Sequence, residues 1–368
     1  MSANKTTINR EDLIRITNLV RPALSTQNYI PALMTIRFDG ETATAYNDIS
    51  AISVKADVEV EECLPGELLI KALGSFSADK IMFQEGPDAS IVVSSGRSKI
   101  KIPTQEIKNF PFEWPAVGKK DHGIELDDAV LKGIGMCLLS VGTDPTHPAQ
   151  MGVTLDLDTK GNAVLFSTDN FTISRYQTKA KCELPGDAPV ILPRFFCEQL
   201  ITLAKAFPKE AVTLYLISGA LMVTFGNEAK LFTKTPVDLE PLDFPKIIDK
   251  HCKLAGLKGQ LGKIPDNFDS ALSRALLVLS SETDKVTKVT LVEDEARMES
   301  TSSMGEAIDS ITLDSGTDDE PTEPVHIDPS LVARAAKVCA MIGFTKKVLI
   351  MTDEEAQFIH LVAYCAAA

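Results

Sequence analysis

Several features are missing from this sequence, and each absence removes a class of function. No apolar run reaches the ~20 residues that cross a bilayer as a helix. The N-terminal stretch Met1–Arg10 lacks the apolar core of a secretory signal. Cytoplasmic residence is the resulting expectation, with no membrane partner. The seven cysteines (Cys63, Cys137, Cys182, Cys197, Cys252, Cys339 and Cys365) are odd in number and scattered, with no CxxC pair. That pattern argues against a disulfide framework or a zinc site. The five histidines, His122, His147, His251, His326 and His360, share no ligand spacing, and His251-Cys252 is an adjacent pair rather than a spaced one. There is no GxSxG motif and no paired-carboxylate signature. The run from Gly256 to Lys263 approaches a phosphate loop, but it has one residue too many between its glycines, and Ile264 stands where Ser or Thr would hold magnesium. It reads as an inter-domain linker. No metal, no cofactor and no enzymatic activity are the expectations. Basic charge is scarce too: 37 Lys and Arg face 51 Asp and Glu, a net charge of −14. Such a chain should, as a whole, repel a nucleic acid.

Repetition is what the sequence does have. Its 368 residues suggest two or three domains, and an apolar content of 44% is that of an ordinary globular protein. Helix signals begin near Glu11, Lys71, Asp127, Pro193, Asp266 and Pro329. Each precedes a strand–turn–strand pattern, with turns at Asp39-Gly40, Gly86-Pro87, Lys160-Gly161, Ser218-Gly219, Glu293-Asp294 and Asp353-Glu354. Short apolar strands precede the second, fourth and sixth helices, at Glu67–Ile70, Pro189–Leu192 and Pro324–Ile327. There is also a local echo. Val92-Val93-Ser94-Ser95-Gly96 leads through Lys99-Ile100 to Phe110-Pro111, and Met222-Val223-Thr224-Phe225-Gly226 leads through Lys230-Leu231 to Phe244-Pro245. Three domains of one plan follow, 1–121, 122–250 and 251–368. The acidic stretch Glu293–Pro324 reads either as a disordered segment or as solvated strands; strands joined by a loose loop over 315–323 are the preferred reading.

The helices are amphipathic. Their apolar stripes are Leu13/Ile16/Val20, Val130/Ile134/Cys137, Phe196/Leu200/Leu203/Phe207, Phe268/Leu272/Ala275/Leu279 and Leu331/Ala335/Val338/Ile342. The second helix, Lys71 to about Lys80, is short and contains Gly74. The flanks carry Arg10, Arg15, Arg21, Lys71, Lys132, Arg194, Lys205, Arg274, Arg334 and Lys337. Most helical acids (Glu11, Asp12, Asp127, Asp128, Asp266, Asp328) sit at helix starts, where they cap N–H groups and complement the dipole. The six spans together carry a small positive charge, so the whole acidic excess lies outside them. For one helix, solubility explains exposed Lys and Arg. Six helices with the same bias favour a shared surface facing a polyanion, suited to phosphates and without aromatics interleaved for stacking on single strands.

The residues then carry a resemblance. Ser94-Ser95-Gly96-Arg97-Ser98-Lys99-Ile100 followed by Phe110-Pro111, Phe166-Ser167-Thr168-Asp169 followed by Ile173-Ser174, and Leu192-Pro193-Arg194 followed by a helix and Phe244-Pro245 resemble the bacterial-type DNA polymerase sliding clamp, the processivity-factor beta subunit. The resemblance covers nearly the whole chain in order and spacing. It implies an α+β DNA-clamp fold of three similar domains, each with two helices packed on outer antiparallel sheets. It further implies a head-to-tail dimer closing into a ring, with twelve helices around a hole threaded by double-stranded DNA. The ten basic residues named above would face that DNA. A replicative polymerase and a clamp loader would be the protein partners, docking peptide motifs between domains two and three. By position that pocket would comprise Thr168, Asn170, Phe171, Thr172, Ile173, Pro245, Ile247, Val362, Ala363 and Tyr364. Asn170-Phe171-Thr172 departs from the family's Gly-His-Arg, and the terminus Tyr364-Cys365-Ala366-Ala367-Ala368 departs from its Met/Pro/Arg-containing tail. These departures suggest a phage-encoded clamp in a host cytoplasm, serving its own polymerase; core packing is the other reading of Phe171 and Ile173. The ring joint would pair Phe110 and Phe112 with Val278 and Leu279, unless these are internal core. The rival functional reading is a clamp-like scaffold that no longer encircles DNA.

Overall fold

A computed structural model describes residues 6–27, 29–118, 123–217, 219–235, 239–253, 261–313 and 320–366. The first part of the chain runs β1 (Thr6–Asn9), α1 (Arg10–Val20), β2 (Thr35–Asp39), β3 (Thr42–Tyr46), β4 (Ser50–Lys55), β5 (Glu61–Pro65), α2 (Gly66–Ser75), β6 (Lys80–Gly86), β7 (Ser90–Ser95) and β8 (Ser98–Pro103). It continues with β9 (Gly123–Glu125), α3 (Asp128–Cys137), β10 (Gly152–Leu157), β11 (Asn162–Thr168), β12 (Thr172–Lys181), β13 (Val190–Pro193), α4 (Arg194–Ala206), β14 (Val212–Ile217), β15 (Ala220–Phe225), β16 (Ala229–Lys234) and α5 (Phe244–His251). The last part holds β17 (Gly262–Lys263), α6 (Phe268–Val278), β18 (Thr287–Val292), β19 (Glu295–Ser302), β20 (Gly305–Thr312), β21 (Val325–Ile327), α7 (Pro329–Ala336), β22 (Met341–Phe344), β23 (Val348–Thr352) and β24 (Phe358–Ala363).

Four antiparallel sheets result, in an α+β fold. Two have four strands, β1-β6-β7-β8 and β20-β19-β18-β21, and two have eight, β5-β2-β3-β4-β16-β15-β14-β9 and β13-β10-β11-β12-β24-β23-β22-β17. The chain divides into two compact units, Met1–Asp127 with Glu198–Asp238, and Asp128–Cys197 with Leu239–Ala368. Each unit holds one sheet of each size.

Each eight-stranded sheet is built from two four-stranded halves joined edge to edge. In the first unit the joint is β4 with β16, where Ser50 faces Thr233, Ile52 faces Leu231 and Val54 faces Ala229. The buried Ser50 and Thr233 hydroxyls pair at 2.9 Å. In the second unit the joint is β12 with β24, in register Thr172↔Val362, Ser174↔His360 and Tyr176↔Phe358. Successive side chains of a strand point to opposite faces, so each joint has two faces to cover. Tyr46, Phe110, Phe112 and Phe232 cover one face of the first joint, with Phe112 stacked on Tyr46 at 4.6 Å between centroids. Over the second joint, Phe166 of β11 stacks on Phe244 of α5 at 5.1 Å, in a cluster with Ile248, Ile350, Ile359 and Leu361.

The helices sit largely where periodicity places them, with three corrections. The second helix begins at Gly66 rather than Lys71, so Glu67–Ile70 is helical, and the apolar strand before it is β5. Pro65 occupies the cap position with no side-chain cap bond. Gly66 packs closely there: a Cβ would lie 2.4 Å from Leu24 Cδ1 and would make that side chain shift. The last helix stops at Ala336; Val338 is exposed, and Ile342 belongs to β22. An unforeseen helix, α5, starts at Phe244, with the Asp243 carboxylate accepting from the Lys246 N–H and Pro245 in the first turn. Both halves of a capping signal were thus in the sequence. The acidic stretch forms β19 and β20, and the part of its expected loop over 315–319 lies outside the described residues. Ser218, His122 and the glycine run as far as residue 260 also lie outside them.

Candidate functional site

The ten helix cations fall into two groups. In the first, the charge is already engaged within the chain. Arg21 forms a two-point ion pair with Glu67 at 2.8 and 3.0 Å. Arg274 of α6 grips the Asp309 carboxylate of β20 with Nε at 3.0 and 3.1 Å, and that bonding raises the Arg274 pKa further. Arg10 Nε donates to the Leu73 carbonyl and Arg194 Nη1 to the Val141 carbonyl. Arg15 lies over the Phe207 ring at 5.6 Å, and Lys132 over the Tyr176 ring at 5.9 Å. The second group comprises Lys71, Lys205, Arg334 and Lys337, all exposed and without an ion pair among the described residues. These four have charge to offer a polyanion at no cost in broken contacts.

The expected pocket residues separate into a turn and a cleft wall. Thr168, Asn170, Phe171 and Thr172 form the β11–β12 turn. There Asp169 accepts from the Thr172 N–H at 2.6 Å, and Asn170 takes a positive φ of 72°. The turn lies against the end of β24: Thr172 faces Val362, and the Ala363 N–H donates to the Phe171 carbonyl at 2.8 Å. Phe171 is 65% exposed, so core packing does not account for it. Ile173 is half-buried against the Phe166/Phe244 cluster. Tyr364 donates its hydroxyl to the Thr345 carbonyl at 2.6 Å. Pro245 lines a cleft of about 280 Å3 in the second unit, which none of the turn residues lines. Val164, Phe166 and Ile248 supply that cleft's apolar lining; Ile247 does not line it.

Sequence reasoning missed Asp249 of α5 and three charged residues that the sheet side contributes, Asp156, Asp158 and Arg175. The last three share a sheet face: Asp156 faces Val164, and Phe166 faces Arg175. Alternation along β10, β11 and β12 could have found them. Hydrogen bonds from Asn162, chiefly its backbone N–H, hold the Asp158 carboxyl down at about 2 despite some burial. Burial lowers the Arg175 pKa, while Asp158 opposes that shift. On the opposite face of the same joint, Ser140, Ser174 and His360 form a buried network. Ser174 Oγ lies 2.8 Å from Ser140 Oγ and 2.9 Å from His360 Nδ1. Burial, with Arg334 adding to it, pushes the His360 pKa down to about 3, so the imidazole is neutral.

The four residues expected at a subunit joint are mostly internal. Phe110 and Phe112 cover the β4–β16 joint, and Leu279 is buried at the end of α6. The large apolar side chain that α6 does expose is Leu277, at 73%, and the edge strand β20 exposes Ile308 at 50%.

Comparison of the sequence with known protein families finds no match, and no curated protein matches it. Solved structures do match along essentially the full length. The DNA polymerase III beta subunit of Thermotoga maritima superposes with a TM-score of 0.82 at 16% identity, covering 99% of this chain and 100% of that one. A DnaN sliding clamp from Pseudomonas aeruginosa bound to griselimycin gives 0.83 at 16% identity, with 100% of both chains covered. A beta sliding clamp from Caulobacter crescentus gives 0.81 at 17% identity, with 99% of each covered. The fold is therefore that of the beta sliding clamps, reached with little sequence in common.

Proposed function

We propose that this chain is a DNA sliding clamp: copies of it close into a ring around duplex DNA and hold a replicative polymerase on the template. The observation that carries this reading is the end-to-end fold likeness to DNA polymerase sliding clamps. The charge distribution supports it. A few unpaired cations on otherwise near-neutral helices attract phosphates weakly and without base readout, which permits sliding. Retention then depends on topology. The role is non-catalytic, cytoplasmic and served by a clamp loader.

The sheet plan supports a three-domain ring. Cutting at 121 and 250 severs no strand and assigns each domain two four-stranded half-sheets and two helices, α1 and α2, α3 and α4, α6 and α7, with α5 falling at the second boundary. Domains are then joined through β4–β16 and β12–β24. Two half-sheets are left with free edges. By position, β8 corresponds to β16 and β24, and β20 corresponds to β4 and β12. Setting β20 of one copy against β8 of the next repeats the joint head to tail, and two copies give six domains. Ile308 and Leu277 supply apolar area there, in place of the buried phenylalanines. Exposed Lys99 on β8 and Glu306 on β20 are of opposite sign.

The test is retention on DNA. Loaded protein should stay on a nicked circular duplex and be lost when that duplex is cut once; equal retention on both would overturn encirclement. Charge reversal at Lys71, Lys205 and Lys337 together should lower loading and polymerase stimulation while leaving the mass in solution unchanged.

A further inference from the structure

The cleft on the second unit is more acidic than a general apolar pocket requires. Its lining combines Val164, Phe166, Pro245 and Ile248 with three carboxylates, Asp156, Asp158 and Asp249, against one guanidinium, Arg175. That guanidinium is already engaged: its Nη2 donates to Gln177, and Asp158 attracts it. Asp158 is saturated by N–H donors from Lys160, Asn162 and Gln177. Asp249 is different. It lies on the exposed side of α5 and accepts no hydrogen bond among the described residues. The Asp156 carboxylate accepts, among the described residues, only from the adjacent Leu157 N–H. The α5 lysines, Lys246 and Lys250, do not line the cleft.

We propose that the cleft selects partner peptides in which an apolar anchor is flanked by lysine or arginine, the anchor seating on Val164, Phe166 and Ile248 and the cation meeting Asp156 and Asp249. This rests on the proposed clamp reading, with the cleft taken as the place where partner peptides dock. Burial of the anchor supplies most of the affinity, and the carboxylates set the sign of the tolerated flank. An acidic flank brings like charges together beside a low-dielectric floor, where their repulsion is least screened.

The experiment uses the whole protein and three synthetic peptides with a common leucine pair, flanked by lysines, by serines or by glutamates, with binding read by fluorescence anisotropy. The lysine peptide should bind about tenfold more tightly than the glutamate peptide at low salt, and the gap should shrink as salt rises. Asp156→Lys with Asp249→Lys should invert the order, while Ile248→Asp should abolish binding of all three. Equal binding of all three peptides, still lost in Ile248→Asp, would overturn the charge selection and leave the docking site intact. No binding, or binding indifferent to Ile248→Asp, would overturn the docking site itself. If the lysine peptide instead dissociates the protein into smaller species, the occupant is another copy of the chain, and the inference fails.

Discussion

The two joints, β4 with β16 and β12 with β24, are built on one plan and finished differently. On the first, the segment following β8 crosses the joint in extended form with one short helical turn, and Phe112 packs among Tyr46, Trp114 and Phe232. With Phe110, five rings fill that face. On the second, the crossing segment is α5, a single Phe166–Phe244 stack does the covering, and an open cleft is left beside it. The polar faces differ as well. A hydroxyl pair, Ser50 with Thr233, suffices at the first joint, while the second buries a histidine between serines. Like strand pairing therefore leaves the side chains free to close one joint and to leave a cleft at the other.

Breaking the seal should have the largest effect. Phe112→Ala removes a ring from a packed aromatic cluster and should cost about 3–5 kcal/mol. It should lower the calorimetric melting temperature more than Phe244→Ala does, because α5 already borders solvent at the cleft. Equal losses would mean that the two covers are energetically alike.

Acid should distinguish the joints next. His360 binds fewer protons when folded than when unfolded, since its pKa falls from an ordinary 6.5 to about 3. Its contribution is complete above pH 6.5 and is lost as pH falls toward 3. The slope is about 1.4 kcal/mol per pH unit, so about 2 kcal/mol goes between pH 6.5 and 5. Urea titrations of wild type and His360→Asn should diverge by that amount. The Ser50–Thr233 pair has no titrating group and should contribute no such slope.

The hydroxyls come third. Ser174→Ala leaves His360 Nδ1 with only a long 3.4 Å contact to Ser140. It should cost about 1–3 kcal/mol, against about 1 kcal/mol for Ser50→Ala, as read from denaturant midpoints. The smallest effect belongs to the Arg21–Glu67 pair. Both side chains are about half exposed, so a double-mutant cycle should give a coupling of about 0.5 kcal/mol or less.

Much of this architecture was legible because it is local. Stripes such as Phe196/Leu200/Leu203 and turns such as Lys160-Gly161 declare themselves within a few residues, and so did the echo of Phe110-Pro111 in Phe244-Pro245. That echo proves to be two covers over two joints. The joints themselves have no local signal: Ser50 and Thr233 are 183 positions apart. For the same reason Phe110 and Phe112 read as surface candidates, since nothing nearby in sequence shows the strand edge they cover. The cleft was half legible. Pro245 was placed by family pattern, but Asp156 and Arg175 reach it only through cross-strand register. Among the basic positions, sequence could not separate Lys205, without an ion pair among the described residues, from Arg274, whose charge a distant aspartate neutralises.

The free edges β8 and β20 give the molecule a valence. On the reading proposed above it is a bifunctional unit with two unlike ends, as in step-growth polymerisation. Such units face a choice between cyclisation and chain growth, set by whether the accumulated rotation returns to its start. Cyclisation is independent of concentration and growth is not, so dilution favours rings and crowding favours chains. A clamp of this construction therefore resists linear polymerisation through the geometry of its joints, which makes the angle at each joint as much a determinant of its biology as any side chain in the hole.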